Sequence, residues 1–302
     1  MKNHNVAKIS LEIRKCRDCP FVREQKGYAG WFCTHDLRTP GIEVNENMVP
    51  SWCPFVVGRL QEVLNTMNSV NDSSIPKKWI NQIERKQEDH PDPKFGADHA
   101  WGHVLRVTEY GERFLEECVG FSILSNNEIQ RLKLLLRISA MLHDVGLAES
   151  NRNHAIHSAE MAKKYLLSSK VDIDEEDVKE IYHAIYNHSD GRETRNYLDA
   201  ALLIGDKLDV NRERMTRNTG SIIEELRKVT EVKYELFGKL AEPKGARLKY
   251  YTDGTGFDVF KLRSWPKAVL IPQEITLGFL GLSEFRFFVD EKEVELKRVI
   301  QR

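Results

Sequence analysis

The chain has 302 residues, of which 41% are hydrophobic and 30% are charged, and its formal net charge is −1. This length predicts about two or three domains. The near-neutral charge excludes a globally basic nucleic-acid-binding protein, although a local basic patch remains compatible with it.

The first residues, MKNHNVAKIS, are polar and lack the apolar core of a signal peptide. The longest apolar runs, LKLLLRISAML and AALLIGDKL, are interrupted by charge and are shorter than the roughly 18 residues that a membrane span needs. We therefore expect a cytoplasmic protein without a membrane partner.

Residues 1–57 are rich in turns and contain four of the five cysteines. In a reducing compartment such a cluster indicates a metal site rather than a disulfide framework. The predicted ligands are the Cys-x-x-Cys pair and two single cysteines, Cys16, Cys19, Cys33 and Cys53. Zinc is the expected ion, with an iron–sulfur cluster or unligated thiols as alternatives and His35 as a substitute ligand.

Residues 58–97 are predicted to form a linker with one short helix. The stretch NTMNSVNDSSIPKK is dominated by Asn, Ser and Asp, which is typical of a connector. Ser74 and Pro76 predict the start of a helix that continues to Gln87.

Residues 98–229 show helical periodicity almost throughout. In DHAWGHVLRVTEYGERFLEE, Asp98 is a candidate N-cap. His103 shares one helix face with Val107 and Phe114, so we expect this histidine to be buried. His99 lies one turn earlier.

The next helix is the most apolar of the chain, and it ends in an imidazole and a carboxylate, His143 and Asp144, with Gly146 as its predicted C-terminal stop. A buried aspartate must be paired or must bind a metal. Adjacent residues on a helix point about 100° apart, so both side chains reach one ion only near a helix end. His154 and His157 follow, and either is a candidate ligand.

Two further helices each present one polar side chain to the interior. In DIDEEDVKEIYHAIYNHSDG, the stripe of apolar residues includes His188 and leaves His183 on the surface. In YLDAALLIGDKLDVNRERM, Asp206 shares a face with apolar residues, and Gly205 beside it allows a close approach.

Residues 230–302 are predicted to form a β-rich α+β region. The runs ARLKYYTD, GFDVFKL, KAVLIP and FRFFVD are aromatic or β-branched and bounded by Gly or Pro, so each predicts a short strand. PQEITLGFLGL predicts a helix between two strands. The sequence leaves its role open among covering the site, conferring specificity and mediating dimerisation.

Each of these polar residues taken alone is more often structural than functional. Together, five helices or helix ends each bring an imidazole or a carboxylate to the interior of one bundle. Histidine and carboxylate ligands without thiolate suit Fe, Mn, Zn, Co or Mg. Six such ligands exceed what one tetrahedral ion needs and match two metals that share a bridging carboxylate.

The order H…HD…H…H…D in a helical frame resembles the HD-domain superfamily of metal-dependent phosphohydrolases. The segments HVLRV, AMLHDVG, AIYNHSDG and GDKLD carry the resemblance, which covers residues 98–214. It implies a mainly α fold built on an HD-type helical bundle. The two extra histidines resemble the di-metal branches, such as HD-GYP phosphodiesterases and symmetrical diadenosine-tetraphosphate hydrolases. The sequence lacks a GYP signature and the lysine that often follows HD-x-G in the latter.

The resemblance implies a set of six metal ligands in which Asp144 is the bridge: His103, His143, Asp144, His154, His188 and Asp206. His154 is preferred over His157 because Ser158, a small residue, follows it by four positions, as in the di-metal branches.

The implied activity is cleavage of a small phosphoester, of the nucleotide type, by a hydroxide that two metals activate by lowering the pKa of a bridging water toward about 7. Cations would stabilise the charge added to the phosphoryl group. Lys207 is the first candidate, and Arg192 and Arg212 follow. His99 or His157 is a candidate proton donor to the leaving oxygen.

Two alternatives belong to other functional classes. Some HD-fold proteins with the same ligand set are mixed-valent di-iron oxygenases, which would require iron and oxygen. The other alternative is a binding module in which the site senses a nucleotide without turnover.

Overall fold

The computed structural model describes residues 22–24, 31–33, 42–44, 54–67, 75–89, 98–149, 152–168, 173–189, 193–214, 225–264 and 266–297. It divides into two compact units, Met1–Gly58 and Arg59–Arg302. The chain is mostly helical and has a small C-terminal sheet, which confirms this part of the predicted fold class.

The first unit contains three short antiparallel strands in the order β1 (Val22–Glu24), β2 (Trp31–Cys33) and β3 (Ile42–Val44). The register pairs Cys33 with Val22 and with Ile42. The other predicted thiolate ligands, Cys16, Cys19 and Cys53, lie outside the described residues. The four-cysteine site therefore stays a prediction.

The helices before the C-terminal sheet are α1 (Pro54–Met67), α2 (Ile75–Asp89), α3 (Trp101–Gly120), α4 (Asn126–Leu142), α5 (His154–Leu166), α6 (Glu175–Asn187) and α7 (Tyr197–Leu208). Their buried faces follow the apolar periodicity of the sequence. The start of α4 is stabilised by Glu128, whose carboxylate accepts a hydrogen bond from the Ser125 backbone N–H at 3.2 Å.

Helices α3 and α7 approach each other closely enough that their backbones nearly touch. A Cβ atom on Gly205 would lie 2.3 Å from the carbonyl oxygen of Val107, and one on Gly111 would lie 2.7 Å from that of Ala201. Glycine is therefore required at both positions. This contact brings His103, one turn before Val107, close to Asp206, which follows Gly205.

A 3-10 turn, Val145–Ala148, follows α4 and carries the chain to α5. The prediction that Gly146 is the C-terminal stop of α4 is wrong, because the C-cap of α4 is His143 and Gly146 lies inside the 3-10 turn. Glycine is needed there for another reason. A Cβ atom would lie 2.5 Å from the His154 carbonyl oxygen and 2.6 Å from the Ser158 nitrogen, so a side chain would push α5 away.

Helix α2 packs against this 3-10 turn. The Lys86 ammonium and the Gln82 amide both donate to the Ala148 carbonyl oxygen, the latter at 3.2 Å. Ile83 is buried against Leu147 and Ala148. The stretch predicted as a linker with one short helix thus contributes α2 to the second unit, and the predicted domain boundaries stay predictions.

The C-terminal sheet has the order β4 (Val229–Lys239), β5 (Glu242–Thr252), β6 (Glu284–Val289) and β7 (Lys292–Val294). Strands β5 and β6 are parallel, whereas the other pairs are antiparallel. The runs ARLKYYTD and FRFFVD lie in β5 and β6, which confirms the two strand predictions.

Two other strand predictions are wrong. GFDVFKL contributes to the 3-10 helix Val259–Ser264, and KAVLIP begins α8 (Lys267–Glu274), which continues into a π-helical turn, Ile275–Phe279. Parallel strands need a long crossover connection, usually helical, and these segments provide it between β5 and β6. A short apolar run does not distinguish a strand from a buried helix.

The helices of the described ranges are all too short or too polar to cross a lipid bilayer.

We expect Gly205→Ala to lower the free energy of unfolding by about 1–3 kcal/mol, because the added methyl group must displace the α3 backbone. Gly120→Ala is the matched control, since nothing lies within 4 Å of the Cβ position there. Urea unfolding of the metal-free variants measures the difference. Equal stability of the two variants would contradict the close approach.

Candidate metal centre

The six predicted metal ligands come from separate parts of the bundle and meet at one place. They are His103 in α3, His143 and Asp144 directly after α4, His154 at the start of α5, His188 directly after α6 and Asp206 in α7. All are buried except His154, whose side chain is 26% exposed.

The Asp144 carboxylate lies at the centre of the cluster, and its two oxygens face different histidines. Oδ2 lies 3.3 Å from His143 Nε2 and 3.7 Å from His103 Nε2. Oδ1 lies 3.3 Å from His188 Nε2 and 3.5 Å from His154 Nε2. His99 Nδ1 lies nearer to Oδ2 than the nitrogens of His143 and His103 do, at 2.6 Å.

Two of the histidines are oriented by the helix ends that they terminate. His143 and His188 are the C-cap residues of α4 and α6. The Nδ1 atom of His143 lies 2.8 Å from the Ala140 carbonyl oxygen, and that of His188 lies 2.6 Å from the Ile185 carbonyl oxygen. Because a carbonyl oxygen can only accept a hydrogen bond, these contacts favour a proton on Nδ1 and leave the Nε2 lone pair directed at the cluster.

His103 is oriented by a buried carboxylate instead. Its Nδ1 atom lies 2.6 Å from Asp209 Oδ2, and the other oxygen of Asp209 accepts a hydrogen bond from Arg106 Nε at 2.8 Å. His103 Nε2 therefore also directs a lone pair inward, 3.3 Å from Asp206 Oδ1 and 3.1 Å from His143 Nε2. Two unprotonated nitrogens at this distance repel each other, and either a proton or a metal ion between them removes the repulsion.

The electrostatics of the cluster favour ionised carboxylates. Burial opposes the charged form of Asp144, but His143 and His99 outweigh it and hold the pKa of this carboxyl well below its ordinary value. Burial lowers the pKa values of His188 and His154, which favours the neutral imidazoles that metal ligation needs.

Asp206 is flanked by two cations. Lys207 Nζ pairs with its Oδ2, and Arg214 Nη2 donates to its Oδ1 at 3.2 Å. Burial raises the pKa of Asp206, but Lys207 and Arg214 outweigh burial and hold this pKa well below its ordinary value. Lys207, the first cationic candidate from the sequence, thus lies beside the cluster with 12% of its side chain exposed.

Two other catalytic candidates do not join the cluster. His157 is exposed because it lies off the face of α5 that buries Ser158 and Ala159. Arg212 is also exposed, and its backbone N–H donates to the Val229 carbonyl oxygen at 3.0 Å. Arg192 lies outside the described residues.

Two further histidines, His99 and His183, each lie next to a buried aspartate. His99 Nδ1 is 2.6 Å from Asp144 Oδ2, with 18% of the side chain exposed, so this histidine is at the rim of the cluster. The prediction of a surface position for His183 is wrong. Only 20% of its side chain is exposed, because its Nδ1 lies 2.9 Å from the buried Asp199 carboxylate of α7.

Sequence reasoning missed Asp209 and Arg214. Asp209 is fully buried and follows Asp206 by three residues, at the C-cap of the same apolar helix, so the burial argument applied to Asp206 would have found it. Arg214 is 4% exposed and donates to the carbonyl oxygens of Asp206 and Asp209. Helix α7 ends at Leu208, so periodicity offered no way to choose between Arg212 and Arg214.

The residues present fit divalent metal ions. Among the described residues, three overlapping groups of histidine and aspartate have their ligand atoms within 4.8 Å of one another, and Asp144 belongs to two of them. Asp144 Oδ1 is buried without a hydrogen-bond partner, which is costly unless a cation binds it.

We expect Arg214→Gln to lower the free energy of unfolding by about 3 kcal/mol, because it removes one partner of a buried ion pair. Arg212→Gln, an exposed position in the same turn, should change it by less than about 0.5 kcal/mol. Chemical denaturation of the two variants separates these outcomes, and an equal loss at both positions would rule out the assigned difference in burial.

Comparison with known families gives one match, and a search of curated proteins returned none. The family model of the HD domain matches residues 100–231, a segment that runs from just before α3 into β4 and includes all six predicted ligands. The segment that carries the histidine and aspartate cluster is therefore similar to HD domains.

Proposed function

We propose that this protein is a metal-dependent phosphohydrolase that cleaves a small phosphoester of the nucleotide type at a pair of divalent ions. The observation that carries the proposal is the Asp144 carboxylate, whose two oxygens face two separate pairs of histidines within a matched HD domain.

The residues divide into two metal positions that share Asp144. The first, which we name the His103 position, uses His103, His143, Asp206 and Asp144 Oδ2. The second, the His154 position, uses His154, His188 and Asp144 Oδ1. These ligands suit iron, manganese or another transition metal. When bound, such ions supply an activated water and compensate the charge of the phosphoryl oxygens.

The chain itself contributes orientation and charge. Arg214 holds Asp206 from the buried side, so this carboxylate keeps one direction. Lys207 is partly exposed beside Asp206, and we assign it the stabilisation of negative charge that develops on the phosphoryl group. His157 and Arg212 have no role in this proposal, because both side chains are exposed and their described contacts lie outside the cluster.

The remaining parts of the proposal depend on the sequence. We propose zinc, with an iron–sulfur cluster as the alternative, at Cys16, Cys19, Cys33 and Cys53. The substrate would be a small molecule rather than a nucleic acid, and a cytoplasmic location is expected.

Hydrolysis of bis(p-nitrophenyl) phosphate with added Mn²⁺ or Fe²⁺ under anaerobic conditions tests the activity. We expect metal-dependent turnover by the wild type and a loss of more than about 100-fold in Asp144→Asn, because this change weakens both metal positions at once. Asp253→Asn is the matched control, since Asp253 is an exposed loop carboxylate that binds Thr255. It should retain full turnover.

Metal-loaded wild-type protein without turnover would contradict the proposal. Oxygen consumption that requires iron would then favour the di-iron oxygenase. Tight nucleotide binding without turnover would favour the sensing module.

A further inference from the structure

We propose that the two metal positions differ in affinity: the His103 position binds its ion tightly, whereas the His154 position binds an exchangeable ion. This inference rests on the ligand assignment of the proposed function. It concerns the order in which the positions fill and the residue, Asp209, that sets this order.

The first difference is the number of ligands. The His103 position is offered two imidazoles and two carboxylates, and the His154 position is offered two imidazoles and the shared Asp144. The charges around the first position largely cancel, because Lys207 and Arg214 offset Asp206 and Asp209. Ligand number and ligand orientation therefore decide the order, rather than net charge.

The second difference is the support behind each imidazole. The His103 ring binds the Asp209 carboxylate, which Arg106 in turn holds at 2.8 Å. A carboxylate behind a ligating histidine raises the basicity of its metal-binding nitrogen and fixes the ring, and losing it typically weakens metal binding about 10–100-fold. His143 and His188, one from each position, have only a neutral backbone carbonyl in this place, so the carboxylate behind His103 is what distinguishes the two positions.

The third difference is exposure. His103 and His143 are completely buried, so their rings are already fixed before an ion arrives. The His154 side chain is 26% exposed, and the hydrogen bonds found among the described residues include none from its Nδ1. An ion held by a ligand at the rim exchanges with solvent more readily than one enclosed by buried ligands.

Two neighbouring cations repel each other, so even equivalent positions would fill in two steps. The experiment must therefore show which position fills first. The full-length protein is stripped with a chelator and titrated with Mn²⁺. Bound metal is counted by mass spectrometry, and free Mn²⁺ is followed by electron paramagnetic resonance.

Three variants assign the two steps of Mn²⁺ binding to the two metal positions. Asp209→Asn keeps the shape of the side chain and should weaken the first Mn²⁺ by about 10–100-fold. His154→Gln lies at the rim and should retain the first ion with unchanged affinity while losing the second. Asp199→Asn is the matched control, because it alters another Asp–His pair, between Asp199 of α7 and His183 of α6, whose histidine lies outside the cluster. It should leave both steps unchanged.

The order of filling is overturned if His154→Gln weakens the first ion, or if a folded Asp209→Asn binds the first ion as the wild type does. If Asp209→Asn does not fold, His154→Gln alone still decides which metal position fills first. Wild-type protein that binds no Mn²⁺ would overturn the metal assignment of the proposed function as well. Two bound ions with the order reversed would overturn this inference alone.

Discussion

The burial of one carboxylate, Asp144, is the constraint on which the arrangement of the bundle depends. A carboxylate that is 4% exposed is stable only when opposite charges or hydrogen-bond donors surround it. Here five imidazoles surround it, from just before α3, from α3 itself and from the ends of α4, α5 and α6. The helices must therefore converge at these points, and the apolar contacts between them fix how closely they do so.

Two of these imidazoles are oriented by backbone carbonyl groups, without any further side chain. A helix leaves its last carbonyl groups without partners, and a histidine at the C-cap can satisfy one of them through Nδ1. His143 and His188 both bind the carbonyl of the residue three positions earlier. One hydrogen bond thus both pairs a carbonyl of the last helical turn and orients a histidine of the site, which explains why α4 ends in a histidine.

The apolar pattern of the sequence predicted burial correctly for residues whose surroundings are set by their own helix. Periodicity identified His103, His188 and Asp206 as buried, and the structure agrees. The pattern gave wrong predictions where the deciding partner is distant in sequence. The segment KAVLIP was predicted as a strand but forms α8 in the crossover between β5 and β6. His183 was predicted on the surface but is half-buried beside Asp199. Arg214 was missed because α7 ends at Leu208, six residues before it, so helical periodicity does not reach this residue.

The part of the structure that holds the site extends beyond the residues that the HD family model matches. The 3-10 turn after Asp144 is bound on one side by Ser158, whose hydroxyl accepts from the Gly146 N–H at 2.8 Å, and on the other by Lys86 and Gln82 of α2. Helix α2 precedes the matched residues, yet it covers the turn that carries the bridging carboxylate. A backbone held from both sides keeps Asp144 in one position, so its two oxygens stay directed at two different pairs of histidines. The precision of the cluster is therefore a property of the larger unit and not of the matched segment alone.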